Sequence, residues 1–142
     1  MVRLSKRADY GFMAMRHLCL APEGQYWSAR EIADRFCVPP ALMAKLLQRL
    51  ARKGLLASHH GKRGGYQIAR PASEITLWDV IEAIEGPPRL EGCVHSSGED
   101  CPRPEACSGQ RPLAAVQKKM AEWLERTTLR DLASPDGGGE AI

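Results

Sequence analysis

A mainly α-helical fold with one small β-hairpin is predicted for this chain on three observations. Apolar residues recur at helical spacing through most of the sequence. Two helical stretches lie on either side of the short turn FCVPP, and two β-prone runs flank the tip GKRGG. With 142 residues, 44% of them hydrophobic, the chain can build one compact core and an appended element, but not two large domains.

The first helix is expected from about Ser5 to Leu20, since Leu4, Ala8, Phe12, Met15, Leu18 and Cys19 fall near helical spacing and Pro22-Glu23-Gly24 stops it. Ser28 opens a second helix that ends near Phe36. In Ser28-Ala29-Arg30-Glu31 the serine side chain can take one orphan N–H while Glu31 reaches back, which is a capping box. After the turn, Pro40 suits the first turn of a helix that continues as ALMAKLLQRLARKG, with Leu42, Leu46, Leu47 and Leu50 as its buried stripe and Gly54 as its close. Helices of about 9 and 14 residues joined by so short a turn make a helix-turn-helix, whose second helix reads the duplex. LLASHH and YQIAR follow as strands, with glycines at the tip to allow positive φ. A helix-turn-helix followed by a basic hairpin is a winged helix.

Thr76-Leu77-Trp78-Asp79 can cap a further helix that faces the core with Leu77, Val80, Ile81 and Ile84 and ends at Gly86-Pro87-Pro88. A final helix from about Pro112 to Arg126 places Leu113, Val116, Met120, Trp123, Leu124 and Thr127 on one continuous stripe. The predicted organisation is a winged helix-turn-helix over 1–86, a cysteine-containing loop over 87–111, a long C-terminal helix over 112–132 and a disordered tail over 133–142.

The net charge of +3 conceals an asymmetry. Residues 1–70 carry 13 Lys/Arg against 4 Asp/Glu, a net of +9, whereas residues 71–142 carry 7 against 13, a net of −6. A basic front half suggests a polyanionic partner, and the basic residues concentrate on the reading helix and the wing, the two elements that a winged helix presents to double-stranded DNA. Ala41, Ala44, Lys45 and Gln48 would sit deepest in a major groove, where Lys and Gln can bond base edges and Ala can touch thymine methyls. Arg49, Arg52 and Lys53 are expected on phosphate, with Ser28 and Arg30 beside them. His60, Lys62 and Arg63 at the wing tip could reach the adjacent minor groove.

The five cysteines fall into two groups. Cys19 lies on an apolar helix face and Cys37 between Phe36 and Val38, so both are expected to pack as small hydrophobes. The stretch CVHSSGEDCPRPEAC holds Cys93, Cys101 and Cys107 among few apolar residues, and three chemistries compete for them. A disulfide leaves an odd thiol and needs an oxidising compartment, for which the N-terminus gives no sign: Arg16 and His17 interrupt the only signal-like apolar run. Structural zinc wants four ligands in tight Cys-x2–4-Cys knuckles, and gaps of seven and five residues fit neither. An iron–sulfur cluster is larger and tolerates wide loops, with three thiolates plus one other ligand to hold it; by spacing it is the favourite.

LSKRADYG, the helix pair, GKRGGY, ITLWDVIEAIEG and the three-cysteine loop together resemble the Rrf-two family of bacterial winged-helix regulators, which includes IscR and NsrR. The resemblance spans roughly residues 1 to 132, and its opening RLSKRADYG is most similar to the branch that regulates the SUF iron–sulfur assembly system. It implies a homodimer in which the C-terminal helix crosses its partner, so that Leu113, Val116, Met120, Trp123 and Leu124 become dimerisation residues and the two readers meet a palindromic or pseudo-palindromic operator. It also implies that Cys93, Cys101 and Cys107 ligate a cluster, 2Fe-2S favoured over 4Fe-4S. Where the IscR branch has a histidine three residues after its last cysteine, this chain has Gln110, a poor ligand. Asp9 of the partner subunit matches the position used in the NsrR branch, and His95 inside the loop is the other candidate.

No Cys-x-x-Cys, Gly-rich phosphate loop or His-Glu-x-x-His occurs in the sequence, so neither an enzyme nor a small-molecule substrate is expected. Apolar runs break well before the roughly 18 residues of a membrane span, and a cytoplasmic protein is expected. The function implied is an iron–sulfur-cluster-dependent transcriptional regulator, a repressor of iron–sulfur assembly genes. The alternative keeps the fold and senses nitric oxide or redox state, or binds zinc, through the same loop.

Overall fold

The computed structural model describes residues 5–62, 64–88 and 110–133, and for residues 110–114 the backbone alone. Helix α1 (Lys6–Leu20) starts where Ser5 Oγ accepts the Ala8 N–H at 3.2 Å, and it buries Ala8, Gly11, Ala14, Met15 and Leu18. Gly11 is small for a reason: a Cβ there would overlap Ile84 Cδ1 on the helix packed across from it. Helix α2 (Ala29–Phe36) carries the expected capping box, with Ser28 N–H donating to Glu31 Oε2 at 2.7 Å and Glu31 N–H to Ser28 Oγ at 3.1 Å. The Ser28 backbone N–H, and then its hydroxyl, hold the Glu31 carboxyl below the usual carboxylate range.

The turn after α2 corrects one expectation. Cys37 caps the helix in the left-handed region at φ 54, and it is exposed rather than packed in the core. That conformation turns the chain sharply between Phe36 and the buried Val38 and leaves the Cys37 side chain outside. Helix α3 (Pro40–Arg52) then begins with Pro40 in its first turn and buries Met43, Leu46, Leu47 and Leu50. Each of these side chains contributes roughly 1.5–3 kcal/mol by leaving water. Leu42, expected on the buried stripe, is half-buried, and Met43 takes its place.

Strands β1 (Leu56–His59) and β2 (Gly65–Ile68) pair antiparallel, with Leu56 opposite Ile68 and His59 opposite Gly65. Trp27 adds a single antiparallel bridge to β2. Its N–H donates to the Tyr66 carbonyl at 3.0 Å and its own carbonyl accepts the Tyr66 N–H at 2.7 Å, tying the wing to the start of α2. After a single 3-10 turn at Ala72–Glu74, helix α4 (Leu77–Glu85) opens on a second capping box, Thr76 with Asp79, and buries Leu77, Val80, Ile81, Ala83 and Ile84.

Helix α5 (Gln110–Arg126) ends at Arg126, where the stripe ends it, and the rest of the segment expected over 112–132 forms a separate short helix, α6 (Leu129–Ala133). The break is capped: Thr128 and Asp131 exchange side-chain to backbone bonds at 2.8 and 3.4 Å. The same junction is bonded to the start of α4, with Leu77 N–H donating to the Thr127 carbonyl and Leu129 N–H to the Ile75 carbonyl, both at 2.9 Å. Buried Leu129 joins the main core, built from α1, α2, α3, α4 and the wing; a satellite cluster of Leu77, Ile81 and Leu124 seats α5 on α4.

His17 sits in an aromatic box at the meeting of α1, α2 and the wing. Its ring stands edge-on to Trp27, centroids 4.4 Å apart, and to Phe36 at 5.7 Å. Burial, and then the Arg35 charge, push its pKa below the ordinary histidine value. Above about pH 6.5 the ring is neutral in both folded and unfolded chains; as the pH falls below that, the unfolded chain takes the proton first. This part of the stability is therefore present above about pH 6.5 and lost as the pH falls through the lower folded value. Urea midpoints measured between pH 7.5 and 5.5 should drop, and less so in His17→Phe. Equal drops in both proteins would assign the effect to other groups.

Candidate nucleic-acid interface

The helix pair and hairpin carry exposed basic side chains at Arg30, Lys45, Arg49, Arg52, Lys53 and Lys62. Along α3, Ala41, Lys45, Gln48, Arg49 and Arg52 are exposed and Ala44 is half-buried, while the leucine side of the helix is fixed by the core. A side chain of α3 that points away from Met43, Leu46 and Leu50 has nowhere to go but outward, which sets the exposed face by default. Lys53, at the end of the helix, is also exposed.

Two open grooves border the wing, one against this helix and one against the start of α2. The larger, about 370 Å³, is lined by Gln48, Ala51, Arg52, Ser58, His60 and Tyr66. The second, about 300 Å³, runs from Ser28 at the start of α2 along Ser58, His60 and Tyr66 to the glycines of the wing tip. Gln48, Arg52, His60 and Ser28 thus converge on the root of the wing. Ser58 and Tyr66 stand between them, and neither was expected from sequence; the alternation of β1 and β2 around GKRGG is the signal that could have found them. Arg30 is exposed in the first turn of α2, and Lys62 is exposed at the tip. Arg63 lies outside the described residues.

The wing is held by shape as much as by hydrogen bonds. A Cβ on Gly65 would stand 2.6 Å from the Trp27 carbonyl carbon and oxygen and 2.9 Å from the Ser28 nitrogen, all backbone atoms. A ring contact between Tyr26 and His59, centroids 4.1 Å apart, closes the other side of the root.

Arg49, expected on phosphate, is exposed and also has a partner within the fold. Its Nη1 donates to the Ile84 carbonyl at 2.8 Å, in the last turn of α4. Nearby, Gln117 Nε2 on α5 donates to the Pro88 carbonyl at 2.8 Å, where the chain leaves α4.

The metal-ligand candidates Cys93, Cys101, Cys107 and His95 lie outside the described residues. Asp9 is exposed in the first turn of α1, where Ser5 already serves as the cap. Of the two other cysteines, Cys19 is half-buried, and burial pushes its thiol up, away from the thiolate form that ligates metal or attacks oxidants. Among the described residues no group of three metal-ligating side chains occurs.

The stripe on α5 divides. Leu124 is buried and Met120 packs with it against Leu77 and Ile81, whereas Val116 and Trp123 are 51% and 48% exposed. The Leu113 side chain lies outside the described residues. On α1 an outward row of Asp9, Met13, Arg16 and Leu20 also exposes apolar surface, Leu20 at 56%. No helix among the described residues is long and apolar enough to cross a membrane.

Residues 4–135 match the model of the family Rrf2, described as an iron-dependent transcriptional regulator. The fold is similar to that of CymR (YrzC), the global cysteine regulator of B. subtilis, with a TM-score of 0.73 and 28% identity over 94% of this chain and 97% of that one. It is similar to Staphylococcus aureus CymR in its oxidized form, with a TM-score of 0.69 and 25% identity over 99% of this chain and 98% of that one. T. potens IscR shares the fold, with a TM-score of 0.73 at 24% identity, over 99% of this chain and 94% of that one.

Proposed function

This chain belongs to the Rrf2 family of transcriptional regulators, and we propose that it acts as a homodimer whose operator affinity is set by an iron–sulfur cluster held in the cysteine loop. It is a DNA-binding protein and not an enzyme. The observation that carries the proposal is the placement of three cysteines, in a spacing unlike that of zinc knuckles, between a winged helix and the helix that follows it, in a chain that matches a family described as iron-dependent.

The donor set fits such a cluster. Cys93, Cys101 and Cys107 offer soft thiolates, and the fourth ligand is Asp9 of the partner subunit or His95. Asp9 suits the role because Ser5 does the capping of α1 and leaves the Asp9 carboxylate outward. When bound, the cluster supplies a link that responds to iron and to redox state, with 2Fe-2S favoured over 4Fe-4S. The chain's own part is to place that link. The loop leaves from Pro88, held by Gln117, and returns at Gln110, the first residue of α5.

On DNA, Ala41, Ala44, Lys45 and Gln48 would meet base edges, while Arg52, Lys53, Ser28 and Arg30 would hold phosphate and His60, Lys62 and Arg63 would enter the minor groove. Two copies joined through Val116, Met120 and Trp123, with Leu113 and Leu124 beside them, would set the readers about one helical turn apart on a palindromic site. The genes controlled would be those of iron–sulfur assembly, repressed from the cytoplasm.

Anaerobic purification, visible absorption, iron and sulfide assay and Mössbauer spectroscopy test the cofactor; a colourless protein with stoichiometric zinc would reverse the assignment. Cys101→Ala should lose the chromophore and change operator affinity by roughly 5–150-fold, the usual span of a coupling energy. Loss of colour with unaltered affinity would remove the sensing role. A second reading, a thiol or nitric oxide sensor using the same loop, is favoured by the likeness to cysteine regulators, one of them in an oxidized form. Oxidant-dependent binding by protein lacking iron would select it.

A further inference from the structure

Helix α4 ends short of cations. Its last four carbonyls have no partner within the helix beyond the bond from Gly86 N–H to the Glu82 carbonyl, its last turn carries no basic residue, and Glu82 and Glu85 stand where the macrodipole is already negative. The missing cation arrives from another helix. Arg49, on the reading helix α3, places Nη1 2.8 Å from the Ile84 carbonyl, so a free carbonyl and an unfavourable dipole end are met by one guanidinium. The bond also spans 35 positions of sequence, joining the reader to the turn from which the cysteine loop departs.

We infer that Arg49 is a positioning residue of the reading helix, tied to the last turn of α4, and not one of its phosphate contacts. The helix α3 is packed on α4 through apolar side chains, which set its distance and roll, and the Arg49 bond adds a polar contact at the edge of that packing. A hydrogen bond from an arginine fork to a carbonyl is directional. Whatever shifts Ile84 or the Gly86-Pro87-Pro88 exit moves the Arg49 anchor with it, and so the face that carries Lys45 and Gln48. This rests on the reading of α3 as the helix that enters DNA, and the test separates the two.

Operator binding is measured as a function of salt for the wild type, Arg49→Met, Arg49→Lys and Lys45→Ala, together with amide hydrogen exchange at Ile84, Glu85 and Gly86. A residue that neutralises one phosphate contributes about 0.9 to the slope of log affinity against log salt. Arg49→Met is expected to weaken binding several-fold at every salt concentration with the slope unchanged, and to speed exchange at Glu85 and Gly86; Arg49→Lys, which keeps one donor, should restore part of both. Lys45→Ala should lower affinity without changing exchange at Glu85 and Gly86. A slope reduced by about 0.9 in Arg49→Met, or affinity equal to wild type, would overturn the inference. If instead Lys45→Ala binds like wild type while Arg49→Met still speeds exchange, it is the reading-helix assignment that fails and the tie that stands.

Discussion

Trp123→Glu is expected to leave the fold intact and convert the protein to a monomer with operator affinity lowered by roughly 10²–10⁴-fold, the range by which two linked sites exceed one. Trp123 is 48% exposed and Val116, two turns earlier on α5, is 51% exposed, so a large apolar area stands in water on the same side of one helix. A tryptophan covers about 150–250 Å², of which about half is still exposed here, and at about 25 cal/mol per Å² its burial against a partner is worth about 2–3 kcal/mol; a carboxylate there instead must be desolvated without a partner. The fold survives because α5 is seated on α4 by other side chains, Leu124 and Met120 against Leu77 and Ile81. Sedimentation equilibrium and fluorescence anisotropy on the same samples check both effects. Lys118→Glu, exposed on a different side of α5, serves as the charge control and should remain dimeric. A dimer that persists in Trp123→Glu with unaltered affinity would place the interface elsewhere.

The second large effect is steric. Gly65→Ala puts a methyl against the backbone of Trp27 and Ser28 at 2.6–2.9 Å, closer than carbon atoms tolerate. No rotamer relieves this, because the obstacles are peptide atoms and not side-chain ends. Either β2 separates from Trp27, breaking the bonds at 3.0 and 2.7 Å between Trp27 and Tyr66, or the start of α2 moves. A cost of about 1–3 kcal/mol in urea unfolding is expected, as for an overpacked site. Operator affinity should fall further than this loss explains, at temperatures where the variant is fully folded, because His60, Lys62 and Ser28 lose their common frame. Stability and affinity both equal to wild type would show that the wing adapts freely and is not positioned by this contact.

The parts of the fold legible in the sequence are those set by neighbours a few residues apart. Both capping boxes, Ser28 with Glu31 and Thr76 with Asp79, pair a side chain with a backbone group three positions away, and each starts a helix where the pattern placed it. Pro40 and the hairpin tip are equally local. Along α3, helical periodicity allows Leu42 or Met43 to fill the first buried place, and leucine's greater apolarity favoured the wrong one; the core selects Met43 because the roll of the helix is set by its partners. Cys37 reads as apolar between Phe36 and Val38, yet it occupies a left-handed cap that usually signals itself by glycine. The end of α5 at Arg126 is legible in the stripe, whereas the short α6 is not, although it carries a local sign, Thr128-x-x-Asp131. Trp27 as a bridge partner of Tyr66, and Arg49 as a partner of Ile84, join positions far apart in sequence and had no sign at all.

The stitching of Thr127 and Leu129 to Leu77 and Ile75 gives α5 the mechanics of a lever. Its far end is pinned by two backbone bonds at the fulcrum, and its 17 residues extend about 25 Å from there at 1.5 Å per residue to Gln110, where the cysteine loop joins it. A rotation of only about 5° at the pinned end therefore sweeps the loop end through about 2 Å. Run in reverse, a tug of that size on the loop turns α5 by the same few degrees, and with it the exposed tryptophan face on which a second subunit would rest.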